Sequence, residues 1–377
     1  MTNTMPGLST LFLGGALLFL ALTLGGCISP IALHSAVLEY DRTVTQIENE
    51  LLLLNIARVR NNDSIHFSGI SSIIATFNFT VSSGISGFYV NSPGALTSST
   101  VGANLTTSAS ESPTITISPI QGEEFTKRLL TPMDESKLEF LAHQGIDLAI
   151  ILRLMVSEIA IRGQGQSAYA LNLPGKREQY EEFRRRVLHL SSLRQANNLH
   201  VGAIRFKNGK DEEVVGRVAI TNFDMSLLPN EYRKALHEES RNFPRNHVLV
   251  VIGEGFAGGD YPLHGRMKLR NFKEILSFIG RGVAEEEEFH VEKDPRTGPG
   301  LVNPIRALAI HETKKRPGGG VVAVEHRGFW YSVDGNSQEN KLLAQWNNQA
   351  FDVLYQLFQM TVTEVTRAQS PMITISK

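Results

Sequence analysis

The sequence has a single cysteine, Cys27, in 377 residues, so no disulfide can form within the chain. Acidic and basic residues nearly cancel, 38 against 37, leaving a formal net charge of −1. That balance excludes broad electrostatic capture of nucleic acid or of anionic lipid. Two long stretches carry no Asp, Glu, Lys or Arg at all, residues 1–26 and Ser64–Ser110. Catalytic motifs are scarce. There is no Gly-x-Ser-x-Gly elbow, and no histidine stands three residues after the Glu of His237-Glu238 or His311-Glu312, so the helical zinc pair is missing. Gly253-Glu254-Gly255-Phe256-Ala257-Gly258 has dinucleotide-type glycine spacing, but Gly259-Asp260-Tyr261-Pro262 prolongs the loop where a phosphate-binding helix would have to start. His200, His247, His264, His290 and His326 are scattered along the chain.

The charge-free amino terminus holds an apolar run, Leu11–Leu24, followed by Gly25, Gly26 and Cys27. A run of this length and glycine content is an export signal rather than a durable membrane span. Its opening lacks the Lys or Arg usual in such signals, which leaves a signal anchor or an ordinary secretory peptide as the other readings. Leu24-Gly25-Gly26-Cys27 resembles the lipobox of bacterial lipoproteins. The resemblance implies cleavage between Gly26 and Cys27 and covalent lipid on Cys27. At roughly 0.8 kcal/mol per buried CH₂, several acyl chains, palmitate among them, anchor stably where one would not. Within that family Ile28, in place of Asp, implies the outer membrane, with the protein on its periplasmic face.

Ser29-Pro30 reads as a helix start. Val37, Tyr40, Val44, Ile47, Leu51 and Leu54 then recur at steps of three and four, a heptad-like stripe. Such a helix either packs on its own domain or bundles with copies of itself. In the charge-free interval, Ile73, Ala75, Phe77, Phe79 and Val81 alternate with Thr76, Asn78, Thr80 and Ser82, and Val101, Ala103, Leu105 and Ala109 alternate with Asn104, Thr106, Ser108 and Ser110. This pattern predicts two long amphipathic strands in a hairpin, joined by a connection bearing Phe88 and Tyr89. Phe77, Phe79, Phe88, Tyr89 and Leu105 are the candidates to meet a membrane or a partner. Three fates are open to the hairpin: burial in its own domain, pairing with another envelope protein, or insertion as part of a barrel built by several protomers. A separate short strand is expected at Thr114–Ser118, echoed near the other end of the chain by Ser370–Ser376.

Beyond it the patterns predict a helix over Gly122–Leu130, one or two helices within Asp134–Arg162, and a charged surface helix over Lys176–Leu193. Strands are expected at His200–Phe206, Glu213–Thr221 and His247–Ile252. There follow a helix over Lys268–Ile279, an acidic loop at Glu285–Glu288, strands at Ile305–His311 and Val321–Val333 about a basic turn, a helix from Leu342 to about Thr363, and a terminal strand. The fold class is α+β: an N-terminal helix, a charge-free amphipathic hairpin, a helical middle and a C-terminal mixed portion. The divisions are a signal peptide (1–26), the lipid anchor with its helix (27–63), the hairpin region (64–120), a helical region (121–198) and a C-terminal α+β domain (199–377).

Phe329-Trp330-Tyr331 is a candidate binding platform, since aromatic faces cover sugars and side chains at low entropic cost. Pro113–Leu130 (PTITISPIQGEEFTKRLL) together with Val322–Tyr331 resembles proteobacterial outer-membrane lipoproteins that have no assigned activity, so the resemblance transfers no site residues. The expectation is a lipid-anchored structural or assembly component of an envelope complex, acting by binding and not as an enzyme. It needs no metal and no cofactor beyond the lipid on Cys27, and its partners are membrane lipid, envelope proteins or further copies of itself, not nucleic acid. The rival readings are a lipid-anchored hydrolase and a module that binds a glycan or small ligand.

Overall fold

A computed structural model describes residues 28–89, 99–163, 167–283, 285–318, 322–335 and 340–366. The fold is a mixed α+β one, in two compact units: Ser68–Ile120, and the remainder of the chain.

The smaller unit is a two-stranded sheet of β1 (Phe67–Tyr89) and β2 (Ser99–Ile120). The short strand expected at Thr114–Ser118 is instead the continuation of β2, which runs through Pro113 and Pro119. A proline lacks the N–H that a central strand must donate, but an edge tolerates it. The echo at Ser370–Ser376 lies outside the described residues.

The larger unit opens with α1 (Ile28–Arg60). Its last turns are buried at Leu52, Leu53, Asn55, Ile56 and Ala57. Asn55 fixes the return of the chain: its Nδ2 donates to His66 O at 2.9 Å, and His66 N donates to its Oδ1 at 2.8 Å. Phe67 follows in an aromatic cluster with Phe358, Phe125 and Phe272, the first at 4.5 Å between ring centroids. Two short helices come next, α2 (Glu123–Leu130) and α3 (Glu135–Ala142), the second capped by Asp134.

The Asp134–Arg162 stretch is only partly helical. After α4 (Leu148–Met155), capped by Asp147, the chain turns into strand β3 (Val156–Arg162), so Ile159 lies in a sheet and not on a helix face. Strand β4 (Ser167–Leu171) returns antiparallel to it. Helix α5 (Arg177–Gln195) is not the surface helix its charges predict: Tyr180, Phe183, Arg184, Val187, Leu188 and Leu190 are all buried. The stretch expected to be a helical region thus supplies two strands to the main sheet.

That sheet has the order β4-β3-β8-β7-β6-β5, with β5 (His200–Lys207), β6 (Glu213–Thr221), β7 (His247–Ile252) and β8 (Leu263–Leu269). Neighbours are antiparallel except β6 and β7, which are joined through α6 (Asn230–Arg241) and run parallel. The apolar run His247-Val-Leu-Val-Val-Ile252 suits β7, a central strand covered on both faces. Leu249 and Val251 face a cluster with Ile204, Phe206, Ala219 and Leu236.

Helix α7 (Phe272–Gly282) begins four residues later than its pattern predicts, with Asn271 and Glu274 forming a reciprocal capping box. Gly280 lets α7 approach α1 closely, since a Cβ there would stand 3.2 Å from both Arg60 N and Ile56 O. Residues 285–309 hold no regular element among those described. Strand β9 is confined to Ile310–Thr313, and the Val321–Val333 strand is in fact two, β10 (Ala323–His326) and β11 (Phe329–Val333), turning at Arg327-Gly328. This three-stranded sheet, β10-β11-β9, packs on α1. Helix α8 (Lys341–Thr366) follows. No helix among the described residues is long and apolar enough to cross a membrane.

Candidate functional site

Helix α4 is the sequence Leu148-Ala-Ile-Ile-Leu-Arg-Leu-Met155, buried at every position, Arg153 included. A guanidinium there must find acceptors or charge. It donates to Glu288 Oε1 at 2.8 Å, Ile305 O at 2.6 Å and Pro304 O at 2.9 Å. Two side chains one turn apart on α5 complete the cluster. Tyr180 donates its hydroxyl to the same Glu288 oxygen at 2.7 Å, and Arg184 donates to Asn303 Oδ1, Pro304 O and Ile305 O. The other Glu288 oxygen accepts from Ala307 N at 2.6 Å.

Burial works to raise the Glu288 carboxyl, but the Arg153 and Arg184 charges and the hydrogen bonds from Arg153 and Tyr180 outweigh it and hold it below its ordinary value. Burial beside that carboxylate pushes the Tyr180 phenol up to about 12. Burial likewise lowers Arg184 and brings Arg270 down to about 9; Arg270 donates to the carbonyls of Arg153, Leu154 and Asn172. Chemically this is a clamp. Its arginines are committed to the carbonyls of Pro304 and Ile305, the Asn303 side chain and Glu288, and fix an irregular segment against α4 and α5.

An open cleft of about 650 Å³ lies along that segment, lined among others by Asn303, Ile305, Arg306, His311, Asp334 and Leu342. His311 Nε2 stands 3.5 Å from Asp334 Oδ2, and Arg306 pairs with Glu287. The clamp lies beneath it, and Ile305 and Leu342 give its lining an exposed apolar part. A second cluster surrounds Tyr261, whose ring lies under the guanidiniums of Arg186 at 3.5 Å and Arg296 at 3.9 Å. Its charges are paired internally, Arg186 with Glu182 and Arg296 with Asp294, and the Arg296 hydrogen bonds draw the Asp294 carboxyl down to about 2. Among the described residues no group of three or more His, Cys, Asp or Glu could hold a metal ion.

Gly253–Gly258 forms turns in which Asn222 binds Gly253 O, Gly253 N and Ala257 O, and strand β8 follows, not a helix. Gly26 and Cys27 lie outside the described residues. Phe77, Phe79, Phe88 and Tyr89 fall on β1 and Leu105 on β2. Alternation along β11 separates the aromatic trio. Tyr331 faces α1, where its hydroxyl accepts from Asn61 Nδ2 at 3.0 Å, and Phe329 shares its parity, while Trp330 lies on the other face with Arg316 5.1 Å above its ring.

The helical stripe is split in the same way. The residues of α1 that the unit buries are Leu52, Leu53, Ile56 and Ala57, whereas Val37, Leu38 and Ile47 are 56%, 43% and 36% exposed. Tyr40, Val44, Leu51 and Leu54 are half-buried. Sequence reasoning missed Arg153, Tyr180, Arg184 and Glu288 as a set; the one signal available was a charged residue inside an otherwise apolar octapeptide. The chain matches no known family model, no curated protein and no solved structure.

Proposed function

We propose that this chain is a lipid-anchored component of the bacterial envelope, held through Cys27 at the periplasmic face of the outer membrane and acting by binding and assembly. The observation that carries this reading is the uncovered stripe of α1. A helix that starts at Ile28, one residue beyond the lipobox-like cysteine, leaves two residues of that stripe, Val37 and Ile47, 56% and 36% exposed. Apolar side chains aligned along a helix face mark an interaction surface more than scattered ones do. The buried charges support binding over catalysis, because Arg153, Arg184 and Glu288 are spent on the Arg153–Glu288 pair, on Tyr180 and on groups of residues 303–307.

Two measurements test the reading. Cys27→Ala should abolish incorporation of radiolabelled palmitate and leave the uncleaved precursor. Crosslinking in intact cells, with a photoreactive residue at position 37, should trap specific envelope proteins or copies of the chain. Full lipid labelling of the Cys27→Ala protein would overturn the anchor, and a residue at position 37 that crosslinks only to lipid or to nothing would overturn the assembly role.

A further inference from the structure

The β1–β2 unit is an unusual object for water. Its strands have 23 and 22 residues, which at about 3.3 Å per residue makes each some 70–75 Å long. Among the described residues they form a sheet of two strands only, and the outer edge of each has no partner strand among them. Isolated two-stranded ribbons are marginal in water, and exposed edges are normally guarded by charges, prolines or bulges. Here the guards are confined to one end: Glu111, Pro113 and Pro119 fall in the second half of β2, and from Ser68 to Ser110 there is no charge and only Pro93, which lies outside β1 and β2.

The unguarded part has the period of a membrane barrel. On an extended backbone, positions 73, 75, 77, 79 and 81 share a face and carry Ile, Ala, Phe, Phe and Val; positions 101, 103, 105, 107 and 109 carry Val, Ala, Leu, Thr and Ala, apolar but for one threonine. The alternate positions of β2 from 100 to 118 are Thr, Gly, Asn, Thr, Ser, Ser, Ser, Thr, Thr and Ser, a row of small residues that are all polar except Gly102. Ile73–Val81 and Val101–Ala109 are each nine residues, against the ~9–11 that a tilted strand needs to cross a bilayer. In hydrocarbon every backbone N–H and C=O must be paired, so a strand pair survives there only within a closed barrel.

We infer that β1 and β2 pair edge to edge with the hairpins of further copies of this chain, closing a membrane-spanning barrel with the Ser/Thr/Asn row facing a water-filled interior. A second copy is the fitting occupant because neither edge has a partner strand among the described residues and a ring of identical hairpins satisfies each β1 with the next β2. At two strands per copy and a minimum of about eight strands, at least four copies are needed. This inference rests on the envelope reading above and deepens it.

The test uses the full chain, purified from membranes in mild detergent and reconstituted into planar bilayers. The expected result is one discrete oligomer of at least four copies with stepwise ion conductance. Asn78→Lys, on the interior row, should keep the oligomer and shift the reversal potential toward anion selectivity. Phe77→Lys, one residue away on the apolar face, should cut the inserted oligomer by about tenfold or more. A detergent-solubilised chain that is monomeric at all concentrations overturns the barrel, as does an oligomer that never conducts or in which Phe77→Lys and Asn78→Lys behave alike. Any of these, combined with specific crosslinks from position 37, would leave the assembly reading standing without the barrel.

Discussion

Arg153 Nη2 lies 2.8 Å from Glu288 Oε1, with the two side chains only 2% and 6% exposed. The pair joins a helix to an irregular segment 135 residues further along the chain. A buried ion pair is weak support for stability in itself, but removing one partner leaves the other charge buried and alone. Glu288→Ala and Arg153→Ala should each cost about 3–5 kcal/mol in urea unfolding. The double variant should cost less than their sum, with a coupling of about 0.5–3 kcal/mol. Additive losses would mean that the two residues do not act together.

The same pair sets an acid limit. Because the folded state lowers the Glu288 pKa, its contribution is complete above the unfolded carboxylate value of about 4.3 and is lost as pH falls through the lower folded value. Wild type should therefore melt progressively lower on acidification below that point. Glu288→Gln, less stable at neutral pH, should show a flatter dependence there.

His247 gives a separate dependence at milder pH. Burial, assisted by Arg266, Lys268 and Arg217, lowers its pKa to about 4. Between about 6.5 and 4 the unfolded chain binds a proton that the folded chain refuses, so stability falls as pH drops through this window and levels off below it. His189 and His237 are lowered in the same direction by burial. His247→Asn should remove part of the drop in melting temperature between pH 7 and pH 4.5. An unchanged slope would reassign it to the other two histidines.

Strands β5, β6 and β7 are legible in the sequence almost to the residue, because short apolar or alternating runs there are bounded by turn residues. Strand β3 is not. Val156–Arg162 follows the apolar octapeptide of α4 without a break, and Ile159 fits both a helical and a strand period. Helix α5 misleads for another reason: Arg184 looks like surface, yet it is buried because its fork of donors finds the carbonyls of 304 and 305, which come from a distant loop. Glu288 stands last in a run of four glutamates, and only the arrival of Arg153 and Tyr180 distinguishes it from Glu285, Glu286 and Glu287. The stripe of α1 is visible as a period, but the residues that become buried are decided by the close approach of α7 at Gly280.

The two sides of α1 should respond differently to charge. Leu53 is fully buried, so Leu53→Asp places a carboxylate in the core and should unfold the larger unit or cost several kcal/mol. Ile47→Asp alters a residue that is 36% exposed and should lower the melting temperature much less than Leu53→Asp, while weakening whatever association the stripe supports. Circular dichroism melts and analytical ultracentrifugation in detergent separate these effects. Equal damage to the fold by both substitutions would place Ile47 in the core and remove the stripe as an interaction surface.

Neighbouring aromatics on β11 allow the ligand-binding alternative to be tested without confusing it with folding. Tyr331 is almost wholly buried, packs toward α1 and accepts a hydrogen bond from Asn61 through its hydroxyl. Tyr331→Phe leaves the Asn61 amide to its remaining bond with Ala57 O and should cost about 1 kcal/mol. Tyr331→Ala should cost about 3–5 kcal/mol, as for other large buried side chains. Trp330 lies on the opposite face with one guanidinium above it, so Trp330→Ala should cost about 1 kcal/mol or less. That makes Trp330→Ala a clean probe. Titrating the intrinsic fluorescence of wild type with envelope oligosaccharides should give no saturable change that Trp330→Ala abolishes if the chain works through protein assembly. A saturable quench, lost in Trp330→Ala and retained in Tyr331→Phe, would instead establish a stacking site centred on this one ring.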